Sequence, residues 1–239
     1  MLLNQTNLLK NVMTEYKKIE HQLIQRASWE DMTEDDLWFE LCLCILSSNV
    51  PFESASSALK HLKRREFLSK EYLLENKKAT RMLSKELSKP LYFPPRKDGN
   101  LRKYRFPYTK ASQIVNAAKV IYKEGYSIKS LLLKSKSAYE ARDLLTRRVP
   151  GIGLKQSSLF LRNIGYASSL AIIDTHILNF LGKLELPEES KIIRPLSKER
   201  YKNIERKLQV LARELDVELS LLDFAIWTVM RTGSRRYQS

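Results

Sequence analysis

The chain has only two cysteines, Cys42 and Cys44, among its 239 residues. Two thiols cannot ligate a four-cysteine iron–sulfur cluster or zinc site. Both sit inside the apolar run LWFELCLCIL, so they read as packing residues of a reducing compartment rather than a disulfide framework. Glycine and proline are also sparse, at seven and eight residues, and they punctuate helical patterns rather than strands. No Asn-Gly or Asp-Gly pair separates two alternating apolar segments, and Asp98-Gly99 lies in a polar loop. No stretch approaches the roughly 18 apolar residues of a membrane span. The N-terminal MLLNQTNLLK lacks the charged-then-apolar pattern of a secretory signal. The expectation is an intracellular protein, in cytoplasm or nucleoid.

Acidic residues are the other shortage. Asp and Glu number 27 against 42 Lys and Arg, a formal net charge of +15. A chain this basic usually meets a polyanion, most often nucleic acid; the plainer alternative is a generic basic surface. Hydrophobic residues make up 43% of the chain, enough for a real core in one or two lobes.

Helical periodicity fills most of the sequence. Leu8, Val12, Tyr16, Ile19 and Leu23 recur at three-to-four spacing and mark a first amphipathic helix. Thr33-Glu-Asp-Asp36 is a capping box that opens a helix running to about Ser48. That helix is apolar nearly all round and should be the buried centre of a lobe. Further helices are expected at 53–64, 70–87, 108–124, 137–147, 154–164, 175–184, 197–215 and 218–230. Ser137-x-x-Glu140 is a second capping box, and Gly125 and Gly165 read as helix stops. Residues 88–107 form a long loop rich in Arg, Lys and aromatics, with four prolines. The pattern predicts an all-α fold of two helical lobes with an interlobe cleft. The expected lobes are approximately 30–135 and 1–29 plus 136–239, working as a single unit.

The segment richest in chemistry is VPGIGLKQSSLFLRNIGYASSLAIID, residues 149–174. Pro150-Gly151-Ile152-Gly153 makes a tight turn between two helices. Gly151 and Gly153 carry no side chain, so backbone N–H groups can approach a phosphate, and the following helix N-terminus adds positive dipole. Such docking fixes position without reading sequence. Lys155 enters the first turn of that helix near Arg147 and Arg148. Like charge and partial burial are expected to free its amine for attack on carbon. A phosphate-contacting surface lysine is the alternative. Asp174 opens the next helix, at Thr175-His176. It reads as an N-cap, and a capping carboxylate is also rigidly placed to stabilise a sugar cation. His176 is a candidate for a phosphate or for Asp174, or a plain core or surface histidine.

These residues resemble the helix–hairpin–helix superfamily of DNA glycosylases. VPGIGLK followed by IID looks like its hairpin and aspartate, and a lysine at 155 is the pattern of the glycosylase/lyases. The endonuclease III branch usually carries a four-cysteine cluster, which this chain cannot build. The wider match is to the compact archaeal-type 8-oxoguanine DNA glycosylase/AP lyases, most specific over 149–178 and 197–233. Tyr104-Arg-Phe-Pro107 with Lys110-Ala111 is similar to that family's arginine–phenylalanine stretch before a helix.

The resemblance implies a lysine Schiff base at Lys155, with Asp174 as the second catalytic residue. It places Asp223 and Trp227, four apart on one helix face, in the base pocket. A core Trp with a surface Asp is the structural alternative. It places Asn49 as a wedge that fills the hole of the flipped base and bonds the orphaned cytosine. The alternative is that Asn49 merely ends its helix before Pro51. Gly151, Gly153, Arg105, Arg147, Arg148 and His176 would contact the DNA backbone. No cofactor and no catalytic metal are expected, although hairpin carbonyls could hold an alkali ion. The partner is double-stranded DNA containing a damaged base, bound by a monomer away from any membrane. Two rivals stay open: the same enzyme fold with a pocket for oxidised pyrimidines, and a non-catalytic helix–hairpin–helix DNA-binding module. The chain departs from the family beyond Thr232-Gly233, where it continues into SRRYQS. A recognition contact from a chain terminus is therefore in doubt.

Overall fold

A computed structural model describes residues 2–22, 28–123, 125–184 and 196–236. Among these there are twelve α-helices. The only extended pairing there is an isolated antiparallel bridge between Tyr92 and Arg102. The all-α expectation therefore holds. No helix among the described residues is long and apolar enough to cross a membrane. The chain divides into two compact units, residues 29–164 and residues 1–28 with 165–239. The boundary falls after the hairpin rather than before it: residues 136–164 group with the central unit, not with the terminal one.

After α1 (Leu2–Gln22), which belongs to the terminal unit, the central unit contains in order α2 (Glu34–Ser47), α3 (Phe52–Arg64), α4 (Lys70–Glu75), α5 (Ala79–Leu87), α6 (Pro107–Tyr122), α7 (Ile128–Leu133), α8 (Ala138–Arg148) and α9 (Leu154–Asn163). Helix α2 is its axis. Leu37, Trp38, Leu41, Cys42, Cys44, Ile45 and Leu46 are all buried along it. It packs against α3, α6, α7 and α9, which is why it is apolar nearly all round. Both cysteines are free and buried, and desolvation raises both thiols well above their usual range. They are packing groups, not nucleophiles.

Local chemistry sets the helix ends. Thr33 and Asp36 form the reciprocal capping box that the sequence suggests. Ser137 caps α8 by accepting from the Glu140 N–H at 3.2 Å, but Glu140 reaches back to the Lys136 N–H instead. The helix expected over 70–87 is two helices. Asn76 breaks it: its backbone turns extended, and its side-chain oxygen accepts from the Lys78 N–H at 2.8 Å. Helix α7 carried no periodic signal. Ser127 and Ser130 cap it reciprocally. Glu34 of α2 accepts from the Ile128 and Lys129 N–H groups at 2.6 and 3.1 Å, and from the Tyr122 hydroxyl at 2.9 Å.

The polar loop after α5 is more ordered than its composition suggests. Tyr92 and Arg102 exchange two backbone hydrogen bonds of 3.0 Å, and Gly99 turns the tip at a φ of +82°. The Arg102 guanidinium folds back onto the Pro94 carbonyl at 2.8 Å.

The terminal unit contains α1 (Leu2–Gln22), α10 (Thr175–Lys183), α11 (Lys198–Glu214) and α12 (Leu219–Arg236). Val12, Tyr16 and Ile19 are the buried stripe of α1, which packs on α12; Leu23 lies outside the described residues. The Tyr16 hydroxyl accepts from the Glu218 N–H at 3.1 Å, tying the two ends of the chain together. Helices α10 and α11 also pack on α12. Helix α12 runs through Thr232-Gly233 to Arg236, past the expected end at 230.

The Glu34 carboxylate satisfies three donors at once, two of them at a helix N-terminus. Glu34→Ala should therefore lower unfolding free energy by about 2–4 kcal/mol, read from the denaturant midpoint. An unshifted midpoint would show that α7 is held by packing alone.

Candidate active site and nucleic-acid interface

In the central unit, α8 ends on Arg147 and Arg148, both exposed. The chain turns through Pro150 to Gly153 and enters α9. Gly151 sits at a φ of +85°, in the left-handed region. A Cβ there would lie 2.7 Å from the Gln113 side chain of α6. This position needs glycine on both counts. Gly153 is extended and is the N-cap of α9, and a Cβ there would meet nothing within 4 Å. No side chain caps α9. Its first-turn N–H groups face outward, with the positive end of the helix dipole behind them. That is an anion-docking geometry.

Lys155 is the second residue of α9. Its neighbours Leu154, Gln156, Ser157 and Ser158 are buried, and Lys155 itself is exposed. The partial burial expected for it is absent, because the packed face of α9 points the other way. Any desolvation of the amine has to come from a bound substrate.

The inward face of α9 meets the end of α2. The last four carbonyls of a helix lack intrahelical donors. Here each finds one. The Cys44 carbonyl accepts from Gln156 Nε2 at 2.6 Å, and the same amide nitrogen reaches Ser47 Oγ at 3.1 Å. The Ile45 carbonyl accepts from Lys110 Nζ at 2.7 Å. The Leu46 carbonyl accepts from the Tyr104 hydroxyl, and the Ser47 carbonyl from the Val50 N–H at 3.3 Å. Lys110 is only 4% exposed, and burial lowers its ammonium to about 8. Asn49 follows α2 in the left-handed region, at a φ of +60°, with its side chain exposed. Asparagine tolerates that conformation better than most residues; α2 itself has already ended at Ser47, with Ser48 as its extended cap. The exposed amide of Asn49 is available to a ligand. Arg105 lies between Tyr104 and Lys110, exposed, with its guanidinium 4.9 Å from the Phe106 ring centre.

In the terminal unit, Asp174 caps α10. Its carboxylate accepts from the His176 and Ile177 N–H groups at 2.8 and 3.1 Å. The segment before it, which belongs to no helix or strand, is fixed by three buried side chains. Glu205 accepts from the Ala171 N–H at 3.0 Å, and Asp223 from the Ile172 N–H at 2.6 Å. The Tyr201 hydroxyl accepts from the Ile173 N–H at 3.2 Å and donates to the Ala171 carbonyl at 2.8 Å. Asp223 is 2% exposed, so it is neither a surface residue nor an uncommitted one. Trp227 is half-buried. Phe224 stacks on its ring at 5.8 Å, and the Arg231 guanidinium lies 4.7 Å from it. The His176 ring meets its edge at 6.2 Å, and His176 Nδ1 is buried with no hydrogen-bond partner among the described residues.

The residues singled out in the sequence thus fall on both units. Lys155, Gly151, Gly153, Asn49, Arg105, Arg147 and Arg148 belong to the central one, and Asp174, His176, Asp223 and Trp227 to the terminal one. Sequence reasoning missed Gln156, Tyr201 and Glu205. Their only trace was a polar side chain at a helix position whose spacing calls for an apolar one.

Two helices joined by this glycine turn, one of them led by an exposed lysine, define a helix–hairpin–helix protein. The family model for 8-oxoguanine DNA glycosylase matches residues 18–217. The chain belongs to the 8-oxoguanine DNA glycosylase family. It is 34% identical over 215 residues to an 8-oxoguanine DNA glycosylase/AP lyase of Sulfolobus acidocaldarius, covering 88% of this chain and 92% of the relative. Among solved structures, the 8-oxoguanine DNA glycosylase of Methanocaldococcus jannaschii superposes with a TM-score of 0.72 at 30% identity. That match covers 97% of this chain and 95% of the other. The same organism's 8-oxoguanine glycosylase/lyase in complex with 15mer DNA containing 8-oxoguanine gives 0.65 at 28% identity, covering 95% and 90%.

The two hairpin glycines should separate in a test. Gly151→Ala meets both strain and contact and should destabilise by about 1–3 kcal/mol. Gly153→Ala should leave the melting temperature unchanged but weaken duplex binding about tenfold, because its methyl group occupies the approach of a phosphate. Unaltered duplex affinity in Gly153→Ala would place the DNA elsewhere.

Proposed function

We propose that this chain removes 8-oxoguanine from duplex DNA and then cleaves the strand at the resulting abasic site. The observation that carries the reading is Lys155: an exposed amine in the first turn of an uncapped helix, directly after a glycine turn built for a phosphate. The family membership and the DNA-bound relative support the same substrate.

The Lys155 lone pair forms a bond to C1′ of the flipped nucleotide. The C1′–N9 bond breaks, and its electrons leave with the base, which takes up a proton. Loss of the amine proton and opening of the sugar give an imine. That imine acidifies C2′; removal of a C2′ proton expels the 3′ phosphate by β-elimination. Asp174 is assigned the countercharge to the sugar cation, and two backbone N–H groups fix its carboxylate for that role. Trp227 packs against the flipped base. Asp223 shapes the pocket through the backbone it holds at Ile172, and offers the base a hydrogen-bond acceptor. Asn49 fills the vacated stack and reads the opposite cytosine. Gly151, Gly153, Arg105, Arg147, Arg148 and His176 contact the backbone. The two units act as one glycosylase, as a monomer and without a cofactor.

The test is strand incision on duplexes carrying single lesions. Wild type should cut 8-oxoguanine opposite cytosine in preference to oxidised pyrimidines. Lys155→Gln should lose incision yet bind the same duplex. Asp174→Asn should excise about 10²–10³-fold more slowly, since an amide still caps α10 but offers no negative charge. Near-normal turnover in Asp174→Asn would reduce Asp174 to a cap. Preferred cutting at an oxidised pyrimidine would transfer the activity to the rival pocket. Duplex binding without incision would leave a DNA-binding module.

A further inference from the structure

Among the described residues, one buried ammonium has no part in the reaction. Lys110 lies in the first turns of α6, 4% exposed, with Nζ 2.7 Å from the Ile45 carbonyl oxygen. A buried lysine is costly unless its charge meets an acceptor. Here it meets the negative end of the α2 dipole, where a cation is favoured. The acceptor is significant. The Ile45 carbonyl also accepts the Ser48 N–H at 3.4 Å, and the Ser47 carbonyl accepts the Val50 N–H at 3.3 Å. These two bonds bracket Asn49 and hold its backbone in the left-handed region. Tyr104 binds the next carbonyl, that of Leu46. Two donors from the segment around α6 therefore grip the turn that presents Asn49.

We propose that Lys110, with Tyr104, is a positioning residue for opposite-base discrimination. Its ammonium touches neither lesion nor opposite base. It fixes the last turn of α2, and that turn fixes where the exposed Asn49 amide stands. An amide that wanders cannot favour one base's donor–acceptor pattern over another's. Lys155 is reached by a different bond from the same helix end, that of Gln156 to Cys44, so the amine chemistry stays separate. The inference rests on the assignment of Asn49 to the opposite base.

The experiment measures single-turnover excision of 8-oxoguanine opposite cytosine and opposite adenine. Asn49→Ala tests the underlying assignment and should lower the cytosine-to-adenine ratio about tenfold, the worth of one good base contact. Lys110→Met should lower it comparably, and the double variant should fall no further, as for groups acting through one contact. Lys110→Arg should restore the ratio. Incision at a preformed abasic site should stay within about twofold in Lys110→Met, because Lys155 is untouched. Should Lys110→Met fail to fold, Tyr104→Phe removes a single hydroxyl from the same turn and should give the same pattern. A folded Lys110→Met or Tyr104→Phe with the wild-type ratio overturns the proposal, as do additive losses in the double variant. An unchanged ratio in Asn49→Ala overturns the assignment of Asn49 itself.

Discussion

The end of α2 is the constraint on which the central unit depends. A buried helix that stops inside a protein leaves four carbonyls without donors, and each unmet one costs on the order of 1–3 kcal/mol. This chain meets all four with Gln156, Lys110, Tyr104 and the backbone of Val50. Three of those donors are side chains, one from α9 and two from the segment around α6. The same bonds that satisfy α2 thereby register α9, which carries Lys155, and α6, which follows Arg105. Structural necessity and site geometry are one set of interactions here.

The terminal unit solves a related problem by the opposite means. Residues 170–173 belong to no helix or strand, so their consecutive backbone N–H groups lack both helix and sheet partners. Buried acceptors on α11 and α12 take them one by one: Glu205, Asp223 and Tyr201. An unsatisfied amide in that position would be expensive. The result is a rigid lead-in to Asp174, whose own carboxylate is then locked by two N–H groups of α10. A group expected to counter developing charge benefits from such pre-organisation, since it need not reorient during the reaction.

Much of this was legible in the sequence. The apolar run around Cys42 and Cys44 announced a buried central helix, and Thr33 with Asp36 marked its start. The two hairpin glycines and the position of Lys155 after them could be read from spacing alone. Other features could not. Lys155 lies one residue from buried Leu154 and Gln156, and burial at that resolution depends on which way the helix faces. Asn76 looks like an ordinary polar residue in a helical pattern until its side chain captures a backbone N–H. Helix α7 is short and is capped from α2 by Glu34, a partner some 94 residues away in sequence. Asp223 kept its place on a helix face with Trp227, but the backbone of Ile172 that it holds lies 51 residues away. Long-range satisfaction of backbone groups leaves almost no local signature.

The proposed reaction turns on a lysine amine, rather than an activated water, displacing the base. The direct measurement is peptide mapping of the covalent adduct formed when borohydride is added during turnover on an 8-oxoguanine duplex. An amine mechanism passes through an imine, which borohydride reduces to a stable link. A single cross-linked peptide is expected, with the DNA on Lys155. Base release without any adduct, or an adduct on Lys110 or another lysine, would contradict it.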